Sequence, residues 1–248
     1  MDRALFVAMS AARETELLQR VNNHNLANVS TTGYKADFGV LLQRNVTGPG
    51  YPDRTYSQAM ENRGFDGRPG ALEQTGRDLD VAIMGEGWFT IQAPDGTRAL
   101  TRRGDFHVTA DGMLTTGDGD LVLGVDGPIL VPPAQSLVIG EDGTLSIRPV
   151  GQPANALAQV NRLNLVNPPP EQLQKGEDGY IRFTGPEDEL VPDASVRLVN
   201  GALERSNVNA VDAMVRMIEM QRNFEMQINM MKRIDDNGRK SQELMRNG

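Results

Sequence analysis

The chain has no cysteine, only two histidines and one tryptophan, and aromatic residues at just 5% of its 248 positions. Without cysteine there is no disulfide framework, no thiolate metal site, no iron–sulfur cluster and no cysteine nucleophile. With His24 and His107 as the whole histidine supply, a three-histidine zinc site is excluded, and no HExxH spacing is present. No stretch of roughly 18 consecutive apolar residues occurs, so no segment is expected to cross a bilayer as a helix. The opening apolar run, Ala4 to Ala12, is followed by Arg13, Glu14 and Glu16 without a small-residue cleavage site, so no cleaved signal peptide is expected. Basic residues are outnumbered, 25 Lys and Arg against 33 Asp and Glu, and the net charge of −8 argues against nucleic acid or an anionic membrane surface as a partner.

Signatures of catalysis and cofactor binding are equally scarce. Gly85-Glu86-Gly87 lacks the third glycine of a dinucleotide fingerprint, because Thr90 occupies its place and no helical pattern follows, so it reads as a turn between strands. There is no GxxxxGK[ST] phosphate loop and no GxSxG nucleophile elbow. Asp78 and Asp80, two apart in an extended run, are expected on one face of a strand, a placement that by itself carries no acid–base chemistry. His24 and His107 read as isolated, partly exposed side chains. No catalytic residue, cofactor site or metal site is therefore assigned.

What is present is a pattern of two helical ends and a strand-rich middle. Ala4, Val7, Ala11, Leu18 and Val21 recur in steps of three and four, broken only at Glu14, and neither Gly nor Pro occurs before Gly33. That predicts one long amphipathic helix ending near Asn28, where Asn22, Asn23, Asn25 and Asn28 lead into Ser30-Thr31-Thr32-Gly33. Residues 36 to 69 carry Gly and Pro without periodicity and read as a connecting arm. From about 70 to 200, short β-rich runs alternate with six Asp-Gly pairs, at Asp95, Asp111, Asp118, Asp126, Asp142 and Asp178, which predicts hairpins in an all-β domain. A calcium loop is the competing reading of Asp118-Gly119-Asp120, but the loop lacks the rest of an EF-hand.

After Gly201 the helical pattern returns. Ala210, Ala213, Met217, Met220, Phe224, Gln227, Met231 and Ile234 follow alternating steps of three and four, a seam of about three heptads. Val211, Val215, Ile218 and Ile228 widen the apolar surface, and seven of the 12 methionines lie between Met214 and Met245. So wide a surface exceeds what one partner helix covers, so packing against other subunits is expected. The fold class expected is α+β, with long N- and C-terminal helices pairing as a coiled-coil-like unit around a central all-β domain. The expected boundaries are 1–35, 36–69, 70–200 and 201–248.

Four blocks, in order, carry a family likeness. The run Asn25-Leu26-Ala27-Asn28-Val29-Ser30-Thr31-Thr32-Gly33-Tyr34-Lys35 resembles the signature of bacterial flagellar rod and hook proteins. Gly70-Ala71-Leu72-Glu73-Gln74-Thr75-Gly76-Arg77-Asp78-Leu79-Asp80, continuing to Gly85-Glu86-Gly87-Trp88-Phe89, resembles the block opening the central domain of the larger members. Thr101-Arg102-Arg103-Gly104-Asp105-Phe106 continues the match, and Gly201-Ala202-Leu203-Glu204-Arg205-Ser206-Asn207-Val208-Asn209 with Gln221-Arg222-Asn223-Phe224-Glu225 is similar to the C-terminal helix region. The opening Met1 to Met9 and the length look most like the proximal-rod members, with distal-rod and hook-type members as the alternative.

The resemblance implies a structural, non-enzymatic axial subunit in the periplasmic rod of the basal body. It implies other rod proteins, proximal and distal, as partners, and passage through the flagellar type III export apparatus without a cleaved signal peptide. The residues expected to pack between subunits are Val7, Ala11, Leu18, Val21, Asn25, Asn28, Ala213, Met217, Met220, Phe224, Met231 and Ile234. An enzyme, such as a carbohydrate hydrolase, is the contrasting class, and it would need paired carboxylates roughly 5 to 9 Å apart in a pocket.

Overall fold

The structure is a computed structural model that describes residues 2–39, 41–48, 51–59, 64–149, 157–186 and 189–246. It is an α+β chain with a β-rich middle and a long helix toward each end, and it divides into two compact units. The first comprises Met1–Ala27, Asp37–Gly64 and Asn209–Gly248, and the second Asn28–Ala36 and Phe65–Val208. Charge divides unevenly between them: the second unit has 12 Lys and Arg against 21 Asp and Glu, a net of −9, and the first 13 against 12, a net of +1. No described helix is long and apolar enough to cross a membrane.

In the first unit, helix α1 spans Asp2–Ala27 and helix α2 spans Ala210–Arg246. The end of α1 matches the polar cluster: Asn28 stands just beyond it, and the Thr31 amide donates to the Asn28 carbonyl at 3.2 Å. The start of α2 is set by Asn209, whose Oδ1 accepts from the amides of Val211 at 3.0 Å and Asp212 at 3.3 Å, satisfying donors that the first helical turn leaves open. The two helices meet through side-chain hydrogen bonds. Gln227 Nε2 donates to Thr15 Oγ1 at 3.0 Å, and Asn22 Nδ2 donates to the Ala213 carbonyl at 2.8 Å. Within residues 36–69, Leu41–Gly48 pairs antiparallel with Tyr51–Ala59, so this segment carries a hairpin that composition alone did not announce.

The second unit is built on an antiparallel sheet. Along it run Leu173–Lys175, Ile181–Phe183, Arg98–Thr101, Trp88–Gln92, Leu121–Gly124, Leu114–Thr115 and His107–Val108, with Gly127–Pro128 and Leu165–Val166 pairing onto it. A three-stranded sheet, Ala134–Ile139, Thr144–Pro149 and Ala158–Arg162, stands beside it in sequence. Two further pairs join distant segments: Val81–Met84 with Arg197–Asn200, and Leu72–Gln74 with Ala202–Glu204. The main apolar cluster includes Phe89, Phe106, Leu114, Ile129, Leu145 and Leu198, with the Phe89 and Phe106 rings edge to face at 5.2 Å. Short strands occupy the stretches between the Asp-Gly pairs, whereas the three-residue pairs at 72–74 and 202–204 are too short to show periodicity.

All six Asp-Gly pairs are turns, and the glycine of each has positive φ. Five of them share one construction, seen at Thr116-Gly117-Asp118-Gly119-Asp120: the Gly119 amide donates to the Thr116 carbonyl at 2.9 Å, and the Thr116 amide to the Asp120 carbonyl at 2.9 Å. This is a turn closed by a left-handed glycine, a geometry that side chains with a Cβ resist. In the turns at Asp95, Asp142 and Asp178 the carboxylate accepts the amide two residues on. These three aspartates thus have a turn-making task, and no cluster of three or more His, Cys, Asp or Glu fit for a metal occurs among the described residues.

Gly119 tests this reading without steric interference, since a Cβ there would meet nothing within 4 Å and its φ is +95°. Gly119→Ala should lower the stability of the second unit by about 1–2 kcal/mol, and Gly119→Asn by clearly less, because asparagine tolerates the left-handed region. Thermal melting of the two variants against the parent measures both.

Candidate functional site

The feature that departs most from an ordinary β-domain core is a buried charge cluster in the second unit. Glu204 ends the short strand Ala202–Glu204, Arg102 follows the strand Arg98–Thr101, and Lys35 lies in the segment Asn28–Ala36. Glu204 is 0% exposed, and Arg102 and Lys35 are each 2% exposed. Lys35 Nζ donates to Glu204 Oε1 at 2.6 Å, the Gly70 amide donates to the same oxygen at 2.9 Å, and Arg102 Nη1 donates to Oε2 at 3.0 Å. Second donors of the cations reach backbone carbonyls: Lys35 Nζ that of Arg68 at 2.8 Å, and Arg102 Nη2 that of Gly85 at 2.7 Å. The indole of Trp88 faces both cations, with its centroid 5.2 Å from Arg102 Cζ and 5.9 Å from Lys35 Nζ.

Burial lowers the pKa of Lys35, opposed by the Glu204 carboxylate, and burial lowers that of Arg102 with the same opposition. Two cations share one carboxylate, so desolvation here is offset only because nearly every polar atom of the cluster is satisfied. The Arg102 Nε, buried without a hydrogen-bond partner, is the exception among its donors.

Around this cluster the resemblance blocks come together. The Gly33 amide donates to the Glu204 carbonyl at 2.7 Å. Gly33 has φ +66°, and a Cβ there would lie 2.5 Å from the Arg102 carbonyl carbon, so only glycine fits the approach. Asn207 ties the same segment from the other side: its Oδ1 accepts the Ala36 amide at 2.8 Å, and its Nδ2 donates to the Asp66 carbonyl at 2.8 Å. Lys175 Nζ donates to the Lys35 carbonyl at 2.9 Å and lies 4.2 Å from the Tyr34 ring centroid. Lys35, Arg102 and Glu204 stand in the quoted motifs, but nothing in the sequence distinguishes them from surface charges, and their joint burial was not foreseen.

The expected packing residues fall into two sets. On α2, Ala213 is buried and Met217, Met220, Phe224, Met231 and Ile234 are half-buried, while Val211, Met214, Val215, Ile218, Met226 and Met230 on the flanks are exposed. On α1, Val21 is buried and Ala11 and Leu18 half-buried, but Val7 is 64% exposed. Within the chain, α1 buries Ala8, Ala12, Thr15, Val21 and Asn22, of which Val21 is also one of the expected packing residues. Thr15 and Asn22 are polar residues that hydrogen-bond α2, so a search for apolar spacing passes over them. Asn25 and Asn28 are half-buried and have local roles: Asn25 pairs with the Asp37 backbone through both its amide atoms, at 2.7 Å each, and Asn28 Oδ1 accepts from Thr31 Oγ1 at 3.2 Å.

The titratable candidates separate. His24 is not isolated: its Nδ1 lies 2.8 Å from Oδ2 of the buried Asp37. His107 is exposed in the strand His107–Val108, with Nδ1 3.0 Å from the Asp105 carbonyl. Asp78 and Asp80 do not share a strand face. Asp78 is exposed in a turn, closed by the Asp80 amide donating to the Arg77 carbonyl at 3.1 Å, whereas Asp80 is buried 3.2 Å from Arg77 Nη1. The hydrogen bond by which Tyr180 Oη donates to Asp120 Oδ1, at 2.8 Å, joins two hairpin turns. Burial and the neighbouring carboxylate push the Tyr180 phenol up to about 12, and burial raises the Asp120 carboxyl.

Comparison with known proteins places these features. The family model described as "Flagellar hook protein FlgE/F/G D1 domain" matches residues 82–147, and that described as "Flagellar basal body rod FlgEFG protein C-terminal" matches residues 199–244. The chain is 40% identical over 252 residues to flagellar basal-body rod protein FlgF of Escherichia coli (strain K12), covering 99% of each chain. It is 39% identical over 250 residues to FlgF of Salmonella typhimurium, again covering 99% of each. To flagellar basal-body rod protein FlgG of Agrobacterium fabrum it is 34% identical over 247 residues, covering 90% of this chain and 92% of the relative.

Two outcomes follow from the polar geometry. Glu204→Gln removes the carboxylate paired with both Lys35 and Arg102 and should cost about 3–5 kcal/mol in urea unfolding, the scale for a buried cation left unpaired. Breaking the exposed Arg68–Asp66 pair by Arg68→Ala should leave the curve unmoved. For Tyr180, the folded pKa lies above the unfolded value of about 10, so between pH ~10 and ~12 the unfolded chain alone ionises. Stability then falls as pH rises through that window and is unaffected below it. Melting at pH 9 and 11.5 should show a smaller alkaline loss for Tyr180→Phe than for the parent.

Proposed function

The chain belongs to the flagellar basal-body rod protein family, and from that membership we propose that it is an axial structural subunit of the rod, of the proximal-rod type. The observation that carries this reading is the likeness to the two FlgF proteins along essentially the whole chain, from α1 to α2. The geometry supports it: α2 offers a half-buried seam toward its own chain and an exposed apolar flank of Val211, Met214, Val215, Ile218, Met226 and Met230. Such a flank gains free energy only when another apolar surface covers it.

In this reading α1 and α2 pair in coiled-coil-like fashion and pack with those of neighbouring rod proteins into the hollow inner shaft, while residues 70–200 form the outer domain and 36–69 the connecting arm. The subunit passes through the type III export apparatus without a cleaved signal peptide, takes its place in the periplasm, and has other axial flagellar proteins as partners. It binds neither nucleic acid nor membrane and catalyses no reaction. The distal-rod or hook-type role is the second reading, favoured by the likeness to FlgG, which is lower and covers less of the chain.

Phe224→Asp tests the packing role. A charge on a half-buried seam position forfeits roughly 1.5–3 kcal/mol of apolar burial and adds a desolvation cost. Cells complemented with it should lack completed basal bodies by electron microscopy and should not swim, while the purified variant keeps the melting transition of the β unit. Loss of that transition would place Phe224 in an ordinary fold-stabilising role instead. His107→Ala and Asp78→Asn, both at exposed positions, should assemble and support swimming. An assembled but non-motile rod containing either one would overturn the non-enzymatic reading.

A further inference from the structure

The segment Asn28–Ala36 is held on the β unit in an unusual way. Among the described residues, none of the three apolar clusters of that unit includes a residue of this segment. Its attachments are polar, among them the Gly33 amide on the Glu204 carbonyl, the Ala36 amide on Asn207 Oδ1, the Asp66 amide on the Ala36 carbonyl at 2.8 Å, the Asn207 amide on the Tyr34 carbonyl, Lys175 Nζ on the Lys35 carbonyl, and Lys35 Nζ on Glu204 Oε1. Yet it covers a cluster of which two members, Glu204 and Arg102, come from the β unit proper and already neutralise one another at 3.0 Å. Lys35 is therefore the surplus cation, and it arrives on the part of the chain with no stake in the apolar core.

We propose that residues 28–36 form a polar latch that opens from and closes onto the β unit while the core of that unit stays folded, with Lys35 as the group that holds it shut. Opening breaks hydrogen bonds, one ion pair and the ring contacts of Lys35 with Trp88 and of Lys175 with Tyr34, and it takes no residue of the segment out of an apolar cluster. Core opening by contrast exposes the apolar clusters, which sets a higher free energy for it. When the latch lifts, Glu204 keeps Arg102 and the Gly70 amide, so no buried carboxylate is stranded. The inference concerns the second unit alone and does not depend on the rod reading.

Native-state hydrogen exchange on the full chain tests it, with Gly33 and Ala36 amides reporting the latch, and Leu114 and Ile129 amides, bonded to the Ile129 and Val122 carbonyls, reporting the core. The latch amides should exchange at least about tenfold faster than the core amides, with little dependence on denaturant. Lys35→Met, an unbranched side chain one atom shorter than lysine and without the charge, should speed Gly33 and Ala36 by about tenfold more and leave Leu114 and Ile129 unchanged. A second variant, Gly33→Ala, reaches the same open state by a different route, through its clash with the Arg102 backbone. Acceleration confined to the latch in either variant supports the proposal. Equal exchange of all four amides in the parent overturns it, as does loss of core protection in both variants.

Discussion

A carboxylate with no exposed surface is the constraint on which the second unit turns. Glu204 has to be met by donors from every side. They come from separated stretches of chain, Lys35 before the β domain and Gly70 and Arg102 within it, while the acceptor Glu204 stands just ahead of α2. The cluster need not add much net stability, because three desolvated charges offset most of what they gain from one another. Its force is asymmetric, in that any arrangement leaving one member buried and unmet is far worse than the native one. Gly33, Gly70, Trp88 and Asn207 follow from it, since the chain must approach closely, donate a backbone amide, present a ring face or hold the incoming segment in place.

Different physics holds the first unit together. There the contacts between α1 and α2 mix small side chains with single hydrogen bonds, Thr15 with Gln227 and Asn22 with the Ala213 carbonyl. The seam of α2 is only half-buried below Ala213, and the apolar flank beside it is open to water. A helix of 37 residues with so much wet apolar surface depends on tertiary or quaternary cover more than on its own propensity.

How much of this was legible in the sequence depends on the length scale of each signal. The α2 seam spans more than six turns, so its three-and-four spacing rises above chance, and the positions read from it are the less exposed ones. The Asp-Gly turns were legible for a local reason, because a residue pair alone selects the left-handed geometry. The intra-chain contacts of α1 leave no apolar signal where they run through Thr15 and Asn22, which are polar. His24 was read as isolated because its partner, Asp37, lies beyond the helix, past a loop whose path no periodicity reveals. The Lys35–Glu204–Arg102 cluster was illegible for the same kind of reason on a larger scale. Burial of a charge is a property of chain segments up to 169 residues apart, and each segment alone looks like solvent-facing polarity.

The uneven division of charge bears on crowding. A unit with a net of −9 carries its own repulsion wherever copies of it stand side by side, whereas a unit at +1 carries almost none. Close approach of many such chains is therefore opposed at the β units and left to shape and apolar fit at the helices. Counterions screen the first effect over about 8 Å at physiological ionic strength and scarcely touch the second. Salt concentration thereby becomes a dial on the spacing of the acidic parts alone.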